Sequence, residues 1–127
     1  TKEMALNNLD DSREGIRKFL KRNPSTCFVA REEKKIVGVI LAGHDGRRGY
    51  IYHLAVLEEA RRQKIATKLL NAALEGLKRE GITEVAVLSK RSNKGGNLFW
   101  EEEKFGTRED LIYRSKNLIE IYRIETE

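Results

Sequence analysis

Tyr50-Ile51-Tyr52-His53-Leu54-Ala55-Val56 is an apolar and aromatic run that leads, within a few residues, into the basic segment Arg61-Arg62-Gln63-Lys64-Ile65-Ala66-Thr67. Beyond it Ile65, Leu69, Leu70, Ala73, Leu74 and Leu77 recur at helical spacing, and Gly81 closes the pattern. The spacing predicts a strand, a basic turn and a helix from Arg61 to about Glu80 with one stripe on a sheet. Such a junction is a cradle for a diphosphate. N–H groups in the first turn of a helix have no intrahelical partner, the macrodipole favours negative charge there, and flanking arginines add bidentate donors.

The remaining elements read in order around this junction. Asp11 with Glu14 three residues later predicts a capping pair, after which Ile16, Phe19 and Leu20 share a face until Asn23-Pro24 ends the helix. Cys27 to Ala30 is strand-like, Glu32 to Lys35 is a polar turn, and Ile36 to Ala42 is a second strand, so the pair predicts an antiparallel hairpin. The glycine-rich turn Gly43 to Gly49 leads to the central strand and completes a meander. Glu84 to Leu88 predicts a strand, Lys94 to about Glu103 a helix, and Asp110 to Arg114 a further strand. Strand, helix and strand in succession require a right-handed crossover between parallel neighbours, so the sheet is expected to be mixed, mostly antiparallel and flanked by helices.

One proline and 127 residues fit a single domain with one core, spanning 1–127. No apolar run reaches the length of a bilayer span, and the first residues lack the long apolar stretch of a secretory signal. A single cysteine makes no internal disulfide, which points to a reducing cytoplasm. The net charge of +5 is spread among interleaved acids and bases, and neither an aromatic platform nor a basic recognition helix is present. A small anionic ligand therefore explains the charge more economically than nucleic acid, and no membrane or metal is implied.

A second junction, Ser92-Asn93-Lys94-Gly95-Gly96-Asn97-Leu98-Phe99-Trp100-Glu101, again follows a strand and opens a helix. Together the two junctions resemble the GCN5-related N-acetyltransferases (GNAT), and the order of elements agrees with that fold from about Asp11 to Leu118. In that family the helix after the central strand begins with Arg or Gln, two variable residues, Gly, one variable residue, and Gly or Ala. Arg61 takes the first place and Ala66 the last. The resemblance implies acetyl-CoA as donor and an amine as acceptor. It assigns the pyrophosphate to Arg61, Arg62, Gln63, Lys64, Ile65, Ala66 and Thr67, and the pantetheine arm to the backbone of Leu54, Ala55 and Val56. Asn93 matches the family's asparagine before the second helix.

Three residues depart from the family pattern. Lys64 stands in the place of a glycine, whose missing side chain lets the backbone approach phosphate. Trp100 stands where many members carry the tyrosine that protonates the leaving thiolate. Glu103-Lys104 replaces an apolar residue and glycine. The chain is also expected to lack the family's first strand and helix, while Ile119 to Thr126 alternates like a C-terminal strand extension. That strand is expected to cover the sheet edge at Cys27 to Glu32, in the same chain or in a homodimer.

Acetyl transfer to an amine needs a base or water relay for the amine proton, a donor for the developing oxyanion, and a protonated leaving group. His53 is either that base or a sheet histidine satisfied by hydrogen bonds, and alternation puts it on the face of Ile51 and Ala55. Glu58 and Glu59 either relay a proton or form the acidic start of a helix. Tyr113 and Tyr52 are the available phenols, with Tyr113 first because it lies on the late strand. A main-chain N–H near Val56 or Leu57 is the oxyanion donor if the central strand splays from its neighbour. The alternative function is a coenzyme A-binding module with little or no turnover.

Overall fold

The computed structural model describes residues 6–61 and 63–124. Strand β1 (Leu6–Asn7) precedes helix α1 (Arg13–Arg22), and β2 (Phe28–Glu32), β3 (Lys35–His44) and β4 (Gly49–Val56) follow. A 3-10 turn at Glu58–Ala60 leads to α2 (Ile65–Arg79), then β5 (Val85–Val87), α3 (Lys94–Glu102) and β6 (Arg123–Ile124). The chain divides into two compact units, one of residues 17–88 and one of residues 6–16 with 89–124. No helix of the described residues is long and apolar enough to cross a membrane.

In the unit of residues 17–88 the sheet has the order β2-β3-β4-β5, antiparallel within the meander and parallel between β4 and β5. The mixed sheet and the crossover expected from the sequence are both present. Helix α2 lies on one face, where a Cβ on Gly38 would meet Leu69 and Ile65 and one on Gly49 would meet Leu77. The C-terminal half of α1 lies on the other face, where a Cβ on Gly43 would meet Phe19 and Asn23. Ile40, Leu70 and Ala73 are fully buried between sheet and α2. Each large apolar side chain so buried contributes about 1.5–3 kcal/mol.

Local chemistry sets the helix ends. Ser12, not the Asp11–Glu14 pair, caps α1, because its Oγ accepts the Gly15 N–H at 3.0 Å. The Asp11 carboxylate is turned instead to the Asn7 N–H at 2.8 Å. Asn23 is 5% exposed and ties the end of α1 to the end of β3, its Oδ1 accepting the His44 N–H at 3.0 Å. Helix α2 ends as Gly81 requires. With φ +80, Gly81 donates to the Lys78 carbonyl while Ile82 donates to that of Leu77.

Gly76 lies inside α2, where alanine would ordinarily stabilise a helix by about 1 kcal/mol. A Cβ there would sit 2.4 Å from the Ser25 carbonyl oxygen, a backbone atom that cannot step aside. Gly76→Ala is therefore expected to destabilise the fold by about 1–3 kcal/mol, read as a lowered denaturation midpoint. A raised midpoint would show that α2 does not press on residue 25.

The other unit corrects two sequence expectations. Asp110 to Arg114 forms no strand, and Leu111, Ile112 and Tyr113 are 58%, 75% and 64% exposed. Alternating apolar residues make a strand only where one face can be buried. β6 pairs antiparallel with β1, Leu6 opposite Ile124 and Asn7 opposite Arg123, and not with the edge at Cys27 to Glu32. Residues 125 and 126 of that expected strand lie outside the described residues. β2 carries a bulge between Ala30 and Arg31, and charged Arg31 and Glu32 follow it, features that blunt a sheet edge.

Candidate active site

The site begins with an irregularity in β4. Leu41 is opposite His53 and Ala42 is opposite Ile51, so Tyr52 is an extra residue on β4. A bulge of this kind bends its strand and increases twist. The parallel pairing with β5 stops at the same point, with Ile51 opposite Val87 as its last pair. β4 runs on to Val56 past the end of β5. The β4–β5 pairing thus ends at the bulge.

The bulge also shifts the faces. Before it, Ile51 shares the α2 face with Gly49; after it, Leu54 and Val56 take that face, opposite Ile40 and Gly38. His53 and Ala55 take the α1 face together with Tyr50. His53 is therefore with Ala55 but not with Ile51, because simple alternation does not survive the extra residue. His53 is half-buried, and its Nδ1 is closed off from solvent.

The backbone past the bulge alternates in a second sense. Leu57 N–H donates to the Val37 carbonyl at 2.8 Å. In an antiparallel ladder bonded and non-bonded pairs alternate, so Ala55 and His53 bond toward β3. The polar groups of Leu54 and Val56 then point to the side where β5 has ended. The Val56 carbonyl confirms this direction by accepting from Arg61 Nε at 3.2 Å. Leu57 is removed as an oxyanion donor because its N–H is spent, and Ala55 is removed from backbone pairing with a ligand for the same reason.

The basic turn is built from a tight 3-10 turn. Ala60 is 0% exposed and anchors it, and the Arg61 N–H donates to the Glu58 carbonyl at 3.2 Å. The helix begins at Ile65 and not at Arg61, because the turn occupies the preceding residues. Arg61, Gln63 and Lys64 are exposed, while Ile65, Ala66 and Thr67 are half-buried in the first turn of α2. Arg62 lies outside the described residues. Glu58 is exposed in the 3-10 turn. Glu59 is paired with Lys35 at 2.7 Å, and that hydrogen bond holds its carboxyl below the usual range.

Lys64 is the N-cap of α2, and its side chain makes no capping hydrogen bond. Its φ of 60 and ψ of 25 lie in the left-handed region. A glycine is favoured here for backbone conformation, in addition to any approach of a ligand. The left-handed conformation costs an L-residue about 1–2 kcal/mol, offset by the about 0.5–1 kcal/mol that glycine loses in entropy on folding. Lys64→Gly is expected to leave stability equal or raised by up to about 1 kcal/mol. It is also expected to flatten the salt dependence of anion binding by one charge. Chemical denaturation and binding at two ionic strengths check both; a clear loss of stability would contradict the strained cap.

In the other unit Asn93 caps α3, its Oδ1 accepting the Gly96 N–H at 2.9 Å. That oxygen is committed to the helix. Trp100 lies between Phe99 and Phe105, with ring centroids 5.1 Å from each in edge-to-face contact, and is a packed aromatic. Lys104 adopts φ 71, and the N–H groups of Lys104 and Phe105 close α3 on Glu101 and Trp100, so the turn forms without its glycine. Tyr113 is solvated and lies on no strand. Arg108 grips Asp110 through two hydrogen bonds of 2.9 and 2.8 Å, which push the Asp110 carboxyl down to about 2. The sequence did not announce the Tyr52 bulge, the Ser12 cap or the Asn23 clamp.

Residues 3–106 match the acetyltransferase (GNAT) family. N-alpha-acetyltransferase 30 of Schizosaccharomyces pombe is 33% identical over 103 residues, which are 77% of this chain and 68% of that protein. A chain of the NatC complex bound to Gag peptide and CoA superposes with a TM-score of 0.65 at 27% identity, covering 72% of this chain and 64% of that one. An aminoglycoside acetyltransferase from an uncultured soil metagenomic sample, in complex with sisomicin, superposes with a TM-score of 0.68 at 28% identity, covering 85% and 75%. The relatives are acetyltransferases, which does not favour a binding module without turnover. With the strand, bulge and basic turn in place and the family matched over most of its length, the chain belongs to the GNAT acetyltransferases, acyltransferases whose acyl donor is acetyl-CoA.

Proposed function

We propose that this chain transfers acetyl from acetyl-CoA to the neutral amino nitrogen of a small molecule or a protein. The observation that carries the reading is the run of β4 past the end of β5, with Leu54 and Val56 polar groups on the side where β5 has ended, beside an α2 N-terminus whose N-cap residue Lys64 makes no side-chain capping bond. The residues fit the donor. Arg61, Gln63, Lys64 and the first-turn N–H groups of Ile65, Ala66 and Thr67 suit a diphosphate, and Arg62 joins them from the sequence pattern. Leu54 suits an amide group of the pantetheine arm.

Acetyl-CoA supplies the acetyl group as a thioester. The Val56 N–H is the donor we assign to the negative charge that develops on the carbonyl oxygen. His53, on the α1 face, takes the proton of the attacking amine through Nε2, and Glu58 is a water-relayed second candidate. As the new C–N bond forms and the C–S bond breaks, no strong acid is required, since a thiol is far more acidic than an alcohol and departs readily as thiolate. Tyr113→Phe is accordingly expected to cost less than tenfold in kcat, measured by thiol release; a loss of ~10²-fold or more would restore Tyr113 as the acid.

The relatives' acceptors, a peptide in one and an aminoglycoside in another, share only an amino nitrogen, so the acceptor class is left at that level. The same proposal includes a cytoplasmic setting, supported by the single cysteine Cys27, whose thiol burial pushes up. It also includes self-association through the part of β2 that precedes its bulge, Phe28 to Ala30, where Val29 is 49% exposed. An amine panel followed by free-thiol release tests acetyl transfer. Thiol release with acetylated amine supports it, and hydrolysis alone or no release across the panel contradicts it.

A further inference from the structure

The α1 face of the sheet holds a cavity that the chemistry above leaves unused. Phe19 of α1 and Tyr50 and Tyr52 of β4 make an aromatic wall, with Phe19 edge-to-face on Tyr52 at 5.3 Å and the two tyrosines 6.3 Å apart. Asn23, His44 and Asp45 supply the polar side, and the volume is about 260 Å³. That is room for a small organic cation, not for a fused or linked ring system.

The polar groups are fixed in a way that selects charge. His44 Nδ1 accepts the Gly46 N–H at 3.0 Å, and its Nε2 lies 3.4 Å from Glu80. Asp45 Oδ1 accepts the N–H groups of Arg47 and Arg48, each at 2.8 Å, and these hold its carboxyl below the usual range. The Arg48 guanidinium is paired with Glu84. Asn23 is spent on the Phe19 and His44 backbones. What remains is three aromatic rings and an ionised carboxylate, the composition of a cation site.

We propose that this cavity holds a second ammonium group of the acceptor, which makes the acceptor a diamine or short polyamine. The proposal rests on the acetyl-transfer reading. Tyr52 precedes His53 directly, and Leu54 and Val56 follow two and four residues along β4. At ~3.3 Å per residue the held ammonium and the reacting nitrogen are ~7–13 Å apart, the reach of a chain of several methylenes.

The test has two arms. Tyrosine-labelled protein is titrated with tetramethylammonium, which cannot be acetylated, and with tert-butanol as its neutral isostere. Saturable shifts of the Tyr50 and Tyr52 ring signals are expected, with Tyr113 and Tyr122 unmoved and tert-butanol about tenfold weaker. Asp45→Asn keeps the oxygen that closes the turn and is expected to weaken tetramethylammonium by about 3–10-fold. No shift at Tyr50 and Tyr52, or an equal response to tert-butanol, would overturn the cation site. In the second arm kcat/KM for α,ω-diamines is expected to exceed that for monoamines of equal length by about tenfold, a preference that collapses in Asp45→Asn. Equal values overturn the acceptor role while leaving acetyl transfer standing. The titration needs no turnover, so failure of acetyl transfer is read separately.

Discussion

Replacing His53 by Gln is expected to lower kcat by ~10²–10⁴-fold with little change in the KM for acetyl-CoA, the range for removing a positioned general base. The expectation follows from the bulge at Tyr52. Without it His53 would share the face of Ile51 and point at α2; with it His53 joins Ala55 on the α1 face. Nδ1 is closed off from solvent, so the proposed transfer runs through Nε2. The strand carries the side chain on a backbone bonded to β3, which fixes its position. Glutamine keeps polarity and approximate size but takes up no proton. A loss below tenfold, with folding intact, would return His53 to a structural role and make Glu58→Gln the next substitution to measure.

Arg61→Ala is expected to weaken acetyl-CoA by roughly 10–150-fold in calorimetry, from the 1.5–3 kcal/mol of a hydrogen bond to a charged group. Arg61 has two connections to the site. It stands at the end of the 3-10 turn, ahead of the α2 N-terminus, and its Nε braces the Val56 carbonyl at 3.2 Å. Loss of the side chain removes a guanidinium suited to phosphate and frees the end of β4. The guanidinium effect is expected to shrink at high salt, and the brace effect is not. An unchanged affinity at low salt would displace the phosphate site from this turn.

The elements that the sequence disclosed are those with a repeating signal. The apolar stripe of Leu69, Leu70, Ala73 and Leu77 marked α2, and the strands of the meander were bounded by polar or glycine-rich turns. The crossover then followed from chain connectivity. The bulge was invisible because Tyr50 to Val56 is apolar or aromatic on both faces, so nothing in the pattern records a skipped position. The start of α2 was placed too early because Arg61, Gln63 and Lys64 are good helix formers, and a left-handed Lys64 is a tertiary outcome. Leu111-Ile112-Tyr113 has strand propensity, yet these side chains stay exposed, and propensity without burial does not make a ladder. The aromatic cavity joins residues from α1, the β3–β4 turn and β4, and no local motif announces such a convergence.

Backbone amide exchange through β4, with and without acetyl-CoA, reports most directly on where the donor lies. The N–H groups of His53, Ala55 and Leu57 bond toward β3, whereas those of Leu54 and Val56 face the side past the end of β5. Acetyl-CoA is expected to slow exchange at Leu54 and Val56 selectively, leaving the alternate positions as they were. Slowing at every second residue would place the pantetheine arm along the open side of β4. Uniform slowing along the strand, or none at Leu54 and Val56, would contradict that placement.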